Sequence, residues 1–590
     1  MATSSLVVVL ALALLAGGSC APLLSTDIQT PITIPYDPAL RPATEFRPLN
    51  DPTLPDANAP ASQPTEVHLS PAGPNAMTVH WSTGAYKIGK GALTPNDVTG
   101  AKSIVKYGTA ANALTQTASG TAEVYNQIYD DKVPAGATAL NYTSPVLHNA
   151  VLANLQPATR YFYTVGDGNV TSQVFNFTSL QAPGQFYPQR FATIADWGMS
   201  QNASSTLDHI IATTANSSSP PMIFYIADFV YADTWHANGT VSNPNTGFEG
   251  LTSQTWQPVW DTWQRFIQPL VSHVPMLGSS GNHEIEQQRD AANTVFASLQ
   301  ARWKTPAAAS KSDSYFFHSI EFGPVHSIFL SNYVDYSPGS NQWEWLYNDL
   351  MSVNRSVTPW VVVNFHNPWY TTDSSYKEFE QMRVSMEPIT NAFGVDIFFY
   401  GHVHAYERST PVNNYKVDLC GSVHITIGDA GNSEGLSFLN SNKSGLTFED
   451  LAGGCPNVTA RSRPSYLNSV NPVNDPFLFY DRTYVYQGDG NSTGVAKPAG
   501  YCYKSQPLWS AYREASFGHG VVDVLNATHA LWTWHRNQDS TPIAADSIYI
   551  VRDPVKCPNK AGGAAAYAYT GPVTPSSPAA VKAPVTTASS

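Results

Sequence analysis

Charge is scarce in this chain. Of its 590 residues only 13% are Asp, Glu, Lys or Arg, and these lean acidic, 31 basic against 44 acidic, for a net charge of -13. The missing basic excess excludes a general nucleic-acid binder, whose affinity rests on neutralising phosphates. An anionic small substrate stays open, because a local metal charge outweighs a distant acidic surface. Low charge with 12% aromatic residues also excludes disorder over most of the length. Long apolar runs are missing too, with one exception. Leu6 to Ala16 is apolar, ends in Gly17, Gly18 and Ser19, and is too short to span a bilayer. It reads as the core of a signal peptide over residues 1–20, although no Lys or Arg precedes it. No other segment is apolar for long enough to serve as a membrane anchor.

Cysteine is rare as well, with five in the chain. Cleavage near Cys20 leaves Cys420, Cys455, Cys502 and Cys557, which allow three pairings that sequence does not choose among. An exported chain favours disulfides. Asn-x-Ser/Thr sequons begin at Asn141, Asn169, Asn176, Asn202, Asn216, Asn238, Asn354, Asn442, Asn457, Asn491 and Asn526. They agree with export, though so short a pattern also occurs by chance. The expectation is a secreted or vacuolar-type soluble protein carrying N-linked glycans.

At this length one hydrophobic core does not suffice, so two or three domains are expected. Residues 21–63 are rich in proline and read as an extended segment rather than a packed one. From Pro64 to about residue 180 short alternating runs such as "MTVHW" and "SIVKYG" are separated by turns, the spacing of a β-sandwich. Its stretch Leu155, Pro157, Thr159, Tyr161, Tyr163 resembles the corner of fibronectin type III domains, where a tyrosine hydroxyl bridges back to the backbone. From 188 to 555 the texture becomes α/β, with near-continuous apolar runs that end in polar clusters and leave room for helices between them. An insertion over about 436–510 is rich in glycine and proline, and residues 556–590 read as a low-complexity tail.

Five apolar runs end in chemistry: "RFATIADWG", "MIFYIADFVYAD", "VPMLGSSGNHE", "WVVVNFHNPWY" and "VDIFFYGHVH". Ligand groups of open α/β sheets collect beyond the carboxyl ends of strands, where these clusters fall. They offer Asp196; Asp228 and Tyr231; Asn282 and His283; His366; and His402 and His404. Each alone has an ordinary reading: a turn aspartate, a capped helix start, a core histidine. Together they supply more donors than one four-coordinate ion needs. Hard oxygens and imidazoles in one set suit first-row metals, and the size of the set fits two adjacent ions sharing a carboxylate.

The series "DWG", "DFVY", "GNHE", "NFH", "GHVH" resembles the metallophosphoesterase superfamily and, within it, the purple acid phosphatases of large plant and fungal type. "ITIGDAGNSEG" and "REASFGHGVVDVLNATHALWTWHRNQD" look like that family's C-terminal region. The resemblance implies a fibronectin-III-like N-terminal sandwich followed by an α/β domain of layered sheets flanked by helices. It implies iron(III) held by Asp196, Tyr231, His404 and a bridging Asp228, with a divalent ion (zinc, iron or manganese) held by Asn282, His366, His402 and the same Asp228. His402 and His404 then stand two positions apart because each serves a different ion. A phenolate on iron(III) gives the family its colour.

The implied activity is a secreted acid phosphatase that hydrolyses phosphate monoesters by attack of a metal-activated hydroxide, with His283 holding the phosphate and assisting the leaving group. The alternatives are a diesterase or phytase of the same superfamily, or a non-catalytic metal-binding glycoprotein. Two departures stand out. Ala227 replaces the glycine of the family's GDxxY, and "HNPWYTTDSSYKEFE" lacks the histidine that plant members tend to carry beyond the position of His366, with Ser375 and Tyr376 nearby instead.

Overall fold

The computed structural model describes residues 31–34, 47–49, 51–89, 92–128, 141–215, 217, 219–234, 255–286, 288, 294–373, 379–437, 506–538 and 541–562. Outside the described residues lie the signal segment, most of the 436–510 insertion with Cys455 and Cys502, Ser375 and Tyr376, and the sequons at Asn216, Asn238, Asn442, Asn457 and Asn491.

The alternating block folds as the sandwich it predicts. One sheet orders Thr65–Gly73, Ala76–Thr83, Val146–Leu152 and Thr121–Glu123, and the other Phe175–Thr178, Arg160–Gly166, Ile104–Gly108 and Gln116–Ser119. Inward-facing Val67, Val79, Trp81, Val105, Tyr163 and Phe177 make a single core between them, as strand alternation requires. The corner is present: Tyr161 Oη accepts the backbone N–H of Gln156 at 3.0 Å.

Two sheets packed face to face form the body. Six strands run in the order Met276–Gly278, Ile223–Tyr225, Gln189–Ile194, Gly518–Val524, His529–Gln538, Thr541–Val551. Eight run Ile32–Ile34, Ser510–Glu514, Tyr406–Ser409, Val423–Ile427, Ile397–Tyr400, Trp360–Asn364, Val325–Phe329, His318–Phe322. Phe191, Phe224 and Leu277 of the first pack with Val362, Phe399 and Ile425 of the second. Helices Gln201–Ala215, Pro258–Val271, Asn341–Ser352 and Glu380–Ala392 bring apolar residues to a second core, which also takes residues from both sheets. The central strands are therefore buried on both faces and read as continuous apolar runs. All five runs singled out in the sequence are parallel strands: Gln189–Ile194, Ile223–Tyr225 and Met276–Gly278 pair in parallel, as do Trp360–Asn364 and Ile397–Tyr400. Their carboxyl ends consequently share one edge of the body.

Two expectations need correction. Where the proline-rich stretch is described it is packed: Ile32–Ile34 pairs in parallel with residues 512–514, and residues 51–63 run largely in turns that bury Leu54 in the helix-side core. The tail does not begin at 556. Cys557 is bonded to Cys420, and Lys560 is buried with its ammonium 3.2 Å from Asp396. Asp396 also takes Arg355 at 2.7 Å and the backbone N–H of Val361 at 2.9 Å. A buried carboxylate needs such partners, and they hold the chain in place through residue 562.

Candidate metal centre

Each predicted donor stands just beyond a strand end, in a sharp turn. Asp196, Asp228, Tyr231 and His402 all have left-handed backbone, at φ of 57°, 52°, 56° and 67°. Ala227 does as well, at 67°. The departure from glycine therefore falls where a side chain is disfavoured, at a cost of roughly 1–2 kcal/mol. Strained residues of this kind gather where geometry serves a function. Close approach demands glycine at two neighbouring points: a Cβ on Gly281 would lie 2.0 Å from Asp228 Oδ1, and one on Gly401 2.5 Å from Asp196 Oδ2.

All seven candidate ligands and His283 come together and are buried, none more than 8% exposed. On one side, Tyr231 donates its hydroxyl to Asp196 Oδ1 at 2.9 Å. His404 Nε2 lies 3.2 Å from the same phenol oxygen and 3.4 Å from Asp196 Oδ1. On the other, His366 Nε2 lies 2.8 Å from Asp228 Oδ2 and 3.1 Å from Asn282 Oδ1. The donor atoms of Asp228, His366 and His402 lie within 4.8 Å of one another. The backbone N–H of His402 donates to Asp196 Oδ2 at 2.8 Å, and that of His283 to Asp228 Oδ1 at 3.0 Å.

The tautomers decide what this cluster lacks. His366 Nδ1 faces the carbonyl of Ile226 at 3.1 Å, and His404 Nδ1 that of Gly435 at 2.9 Å. A carbonyl only accepts, so each ring carries its N–H there and turns an Nε2 lone pair inward. Around His366 this leaves an imidazole lone pair, an amide oxygen and a carboxylate oxygen facing one another. Asp228 Oδ2 has no hydrogen-bond donor among the described residues. Such a group of acceptors is stable only around a cation, or with protons in its place. The donor set fits metal ions.

Without a cation, protons take that role. Burial disfavours a charged His366, yet Asp228 beside it raises the ring to about 9. Burial likewise opposes ionisation of Asp228, but His366 and His283 hold it below the usual carboxylate range. Burial, then Asp196 and Asp228, push the Tyr231 phenol well above its ordinary value, so a phenolate there requires a cation in contact. His283 is raised well above the ordinary imidazole: burial opposes its charge, and Asp233, Asp228 and Glu434 outweigh burial.

Three acidic residues escaped the sequence reading. Asp233 Oδ1 holds His283 Nδ1 at 2.7 Å. Glu284 accepts the backbone N–H groups of Asp228, Phe229 and Gly281 at 3.1, 2.6 and 3.0 Å, tying two ligand loops together. Glu434 reaches within 3.7 Å of His283 Nε2 and 4.0 Å of His404 Nε2. A signal for Glu434 existed: "HITIGDAGNSEG" is a sixth apolar run ending in a polar cluster, and its strand Val423–Ile427 pairs in parallel with Ile397–Tyr400.

A sandwich joined to a two-sheet α/β body, with carboxylates and imidazoles collected where parallel strands end, defines a metallophosphoesterase. Comparison with known proteins narrows the class. Residues 64–179 match the purple acid phosphatase N-terminal domain, 190–406 the calcineurin-like phosphoesterases, and 483–546 the iron/zinc purple acid phosphatase-like protein C. Purple acid phosphatase 15 of Arabidopsis thaliana is 37% identical over 90% of this chain and 92% of its own length. Purple acid phosphatase 13 of the same plant is 36% identical over 89% and 93%. The solved structure of purple acid phosphatase PPD1 from yellow lupin (Lupinus luteus) seeds shares the fold at a TM-score of 0.58 and 18% identity, covering 87% of this chain and 78% of that one. The chain belongs to the purple acid phosphatase family, and is an acid phosphatase of the kind built around a dinuclear metal centre.

Proposed function

We propose that the protein is a secreted acid phosphatase acting on phosphate monoesters, with Asp196, Tyr231 and His404 as ligands of iron(III), Asn282, His366 and His402 as ligands of a divalent ion, and Asp228 between them. The observation that carries this reading is the facing of His366 Nε2 with Asp228 Oδ2 at 2.8 Å and with Asn282 Oδ1 at 3.1 Å, Asp228 Oδ2 having no hydrogen-bond donor among the described residues. When bound, the metal pair supplies positive charge for the phosphate and lowers the pKa of water.

The chain's own groups do the rest. Asp233 fixes the His283 ring through Nδ1, which leaves Nε2 turned toward Asp228 and Glu434 at 3.9 and 3.7 Å. From there His283 Nε2–H is placed to donate to a phosphate oxygen and to give its proton to the departing alkoxide. Glu284 holds the Asp228 and Gly281 turns together, so the carboxylate and the His283 backbone keep their mutual distance while substrate binds. Secretion is supported by the apolar segment Leu6 to Ala16 and by the Cys420–Cys557 bond, which forms readily only in an oxidising compartment.

Initial rates on an aryl monoester, an aryl diester and phytate test the substrate class. A monoester preference supports the reading. A diester preference, or no metal-dependent phosphate release at all, refutes it.

A further inference from the structure

We infer that the N-terminal domain is a positioning element of the reaction site: its third sheet, of the three short strands Lys87–Gly89, Asn141–Thr143 and Asn126–Gln127, clamps through Asn126–Gln127 the loop that presents Asn282 and His283. The inference rests on the ligand assignment proposed above.

The loop needs such a brace. After Met276–Gly278 the chain runs without helix or strand, among the described residues, until Ala297–Arg302. Within it the Ile285 N–H reaches back to the Asn282 carbonyl at 3.2 Å. Glu286 sits at a left-handed φ of 37°, a conformation that persists only where surroundings enforce it. From the inner side Glu284 supplies the constraint already described. From the outer side the three-stranded sheet of the N-terminal domain supplies it. Gln127, fully buried, donates Nε2–H to the Glu286 carbonyl at 3.1 Å. Gln288 answers in the opposite direction, donating to the Asn126 carbonyl at 2.8 Å and accepting the Ile128 N–H at 3.1 Å.

The Glu286 carboxylate is fixed by the same neighbourhood. It takes Thr255 Oγ1 and Gln257 Nε2 at 2.9 Å each and Trp260 Nε1 at 3.1 Å, together with the hydroxyl of Ser298. Gln257 is held in turn by the Tyr125 hydroxyl of the N-terminal domain at 2.6 Å. The Glu286 backbone is thus set from outside the body, by Gln127, and its side chain from within the body, through a Gln257 that Tyr125 holds. Releasing them lets the strained turn relax, which moves Asn282 Oδ1 and His283. A displacement near 1 Å in a reacting group costs about 10²-fold in rate, and lost support of a metal ligand costs about 10–100-fold in affinity.

The test is the double variant Gln127→Ala with Gln288→Ala in the full-length holoprotein. Metal content, the visible spectrum, kcat, KM and thermal unfolding are each measured. The single Gln127→Ala gives the same reading where the double variant folds poorly. Expected is divalent-ion affinity about 10-fold or more weaker in a zinc titration, with iron and the visible band retained and kcat lowered. The control is Tyr163→Phe, which removes the 2.7 Å bond to the Ser272 carbonyl at another point of the same seam. It is expected to lower the unfolding temperature without changing the ratio of the two metals. A double variant that unfolds earlier but keeps both metals at the wild-type ratio and the wild-type kcat overturns the inference. Retention of the divalent ion in Asn282→Ala instead overturns the ligand assignment, and the clamp with it.

Discussion

Asp196 accepts the phenol proton of Tyr231 through Oδ1 at 2.9 Å, while its Oδ2 accepts the backbone N–H of His402 at 2.8 Å. One carboxylate thus joins three strand ends in two different sheets. It places a phenol that burial keeps protonated against the position where the assignment puts iron(III).

Tyr231→Phe deletes the oxygen and little else, since the ring still packs on His283 at 4.1 Å between centroids. The visible absorption band of the wild-type protein is expected to vanish while iron content stays at half or more of normal. Absorption spectra and metal analysis on the same sample check this. A band that survives assigns the colour to another group.

His283 is expected to act on substrate rather than on metal. His283→Ala should lower kcat by about 10²–10⁴-fold with both metals retained. Asp233→Asn, which weakens the 2.7 Å bond to Nδ1, should cost about 10–100-fold. Steady-state rates beside metal content separate these effects from loss of the ions.

Stability should depend on pH through Glu286. Burial raises this carboxyl from 4.5 to about 7, against its bonds from Ser298, Gln257 and Trp260. Between those values the folded protein holds a proton that the unfolded chain has released. Protons therefore favour the fold, and this contribution is lost as pH rises from 4.5 through 7. Glu286→Gln removes the titration. Urea unfolding at pH 4.5 and 7.5 is expected to give a smaller loss of stability on going to pH 7.5 in the variant than in the wild type.

The Cys420–Cys557 bond closes a loop of 137 residues. Cross-linking so long a loop restricts the unfolded chain, and its loss is expected to cost about 2–5 kcal/mol. Cys557→Ser should lower the unfolding temperature and leave the metal ratio and KM unchanged. The bond lies beside the Asp396–Lys560 pair, so the C-terminal segment is expected to loosen first, as limited proteolysis would report.

Much of this was legible in the residues because the site sits on parallel strands. Buried on both faces, "WVVVNF" and "IFFYGHVH" announce themselves as apolar runs, and the donors follow at once. Asp233 and Glu284 were harder to read, since they bond to a ring and to backbone N–H groups whose positions only the folded chain brings near. Ile32–Ile34 leaves no strand signal in the sequence, because a three-residue edge strand carries no periodicity and its partner lies some 480 residues away. The left-handed turns at Asp196, Ala227, Asp228, Tyr231 and His402 carry no glycine, so the sequence shows no sign of them.

The most direct test of the whole account is metal stoichiometry in the pure protein and in Asp228→Asn. The account requires about two ions per chain, iron with a divalent partner, and loss of both affinity and phosphate release once the shared carboxylate is neutralised. Full activity with one ion or none, or an Asp228→Asn protein that keeps wild-type metal and rate, would contradict it.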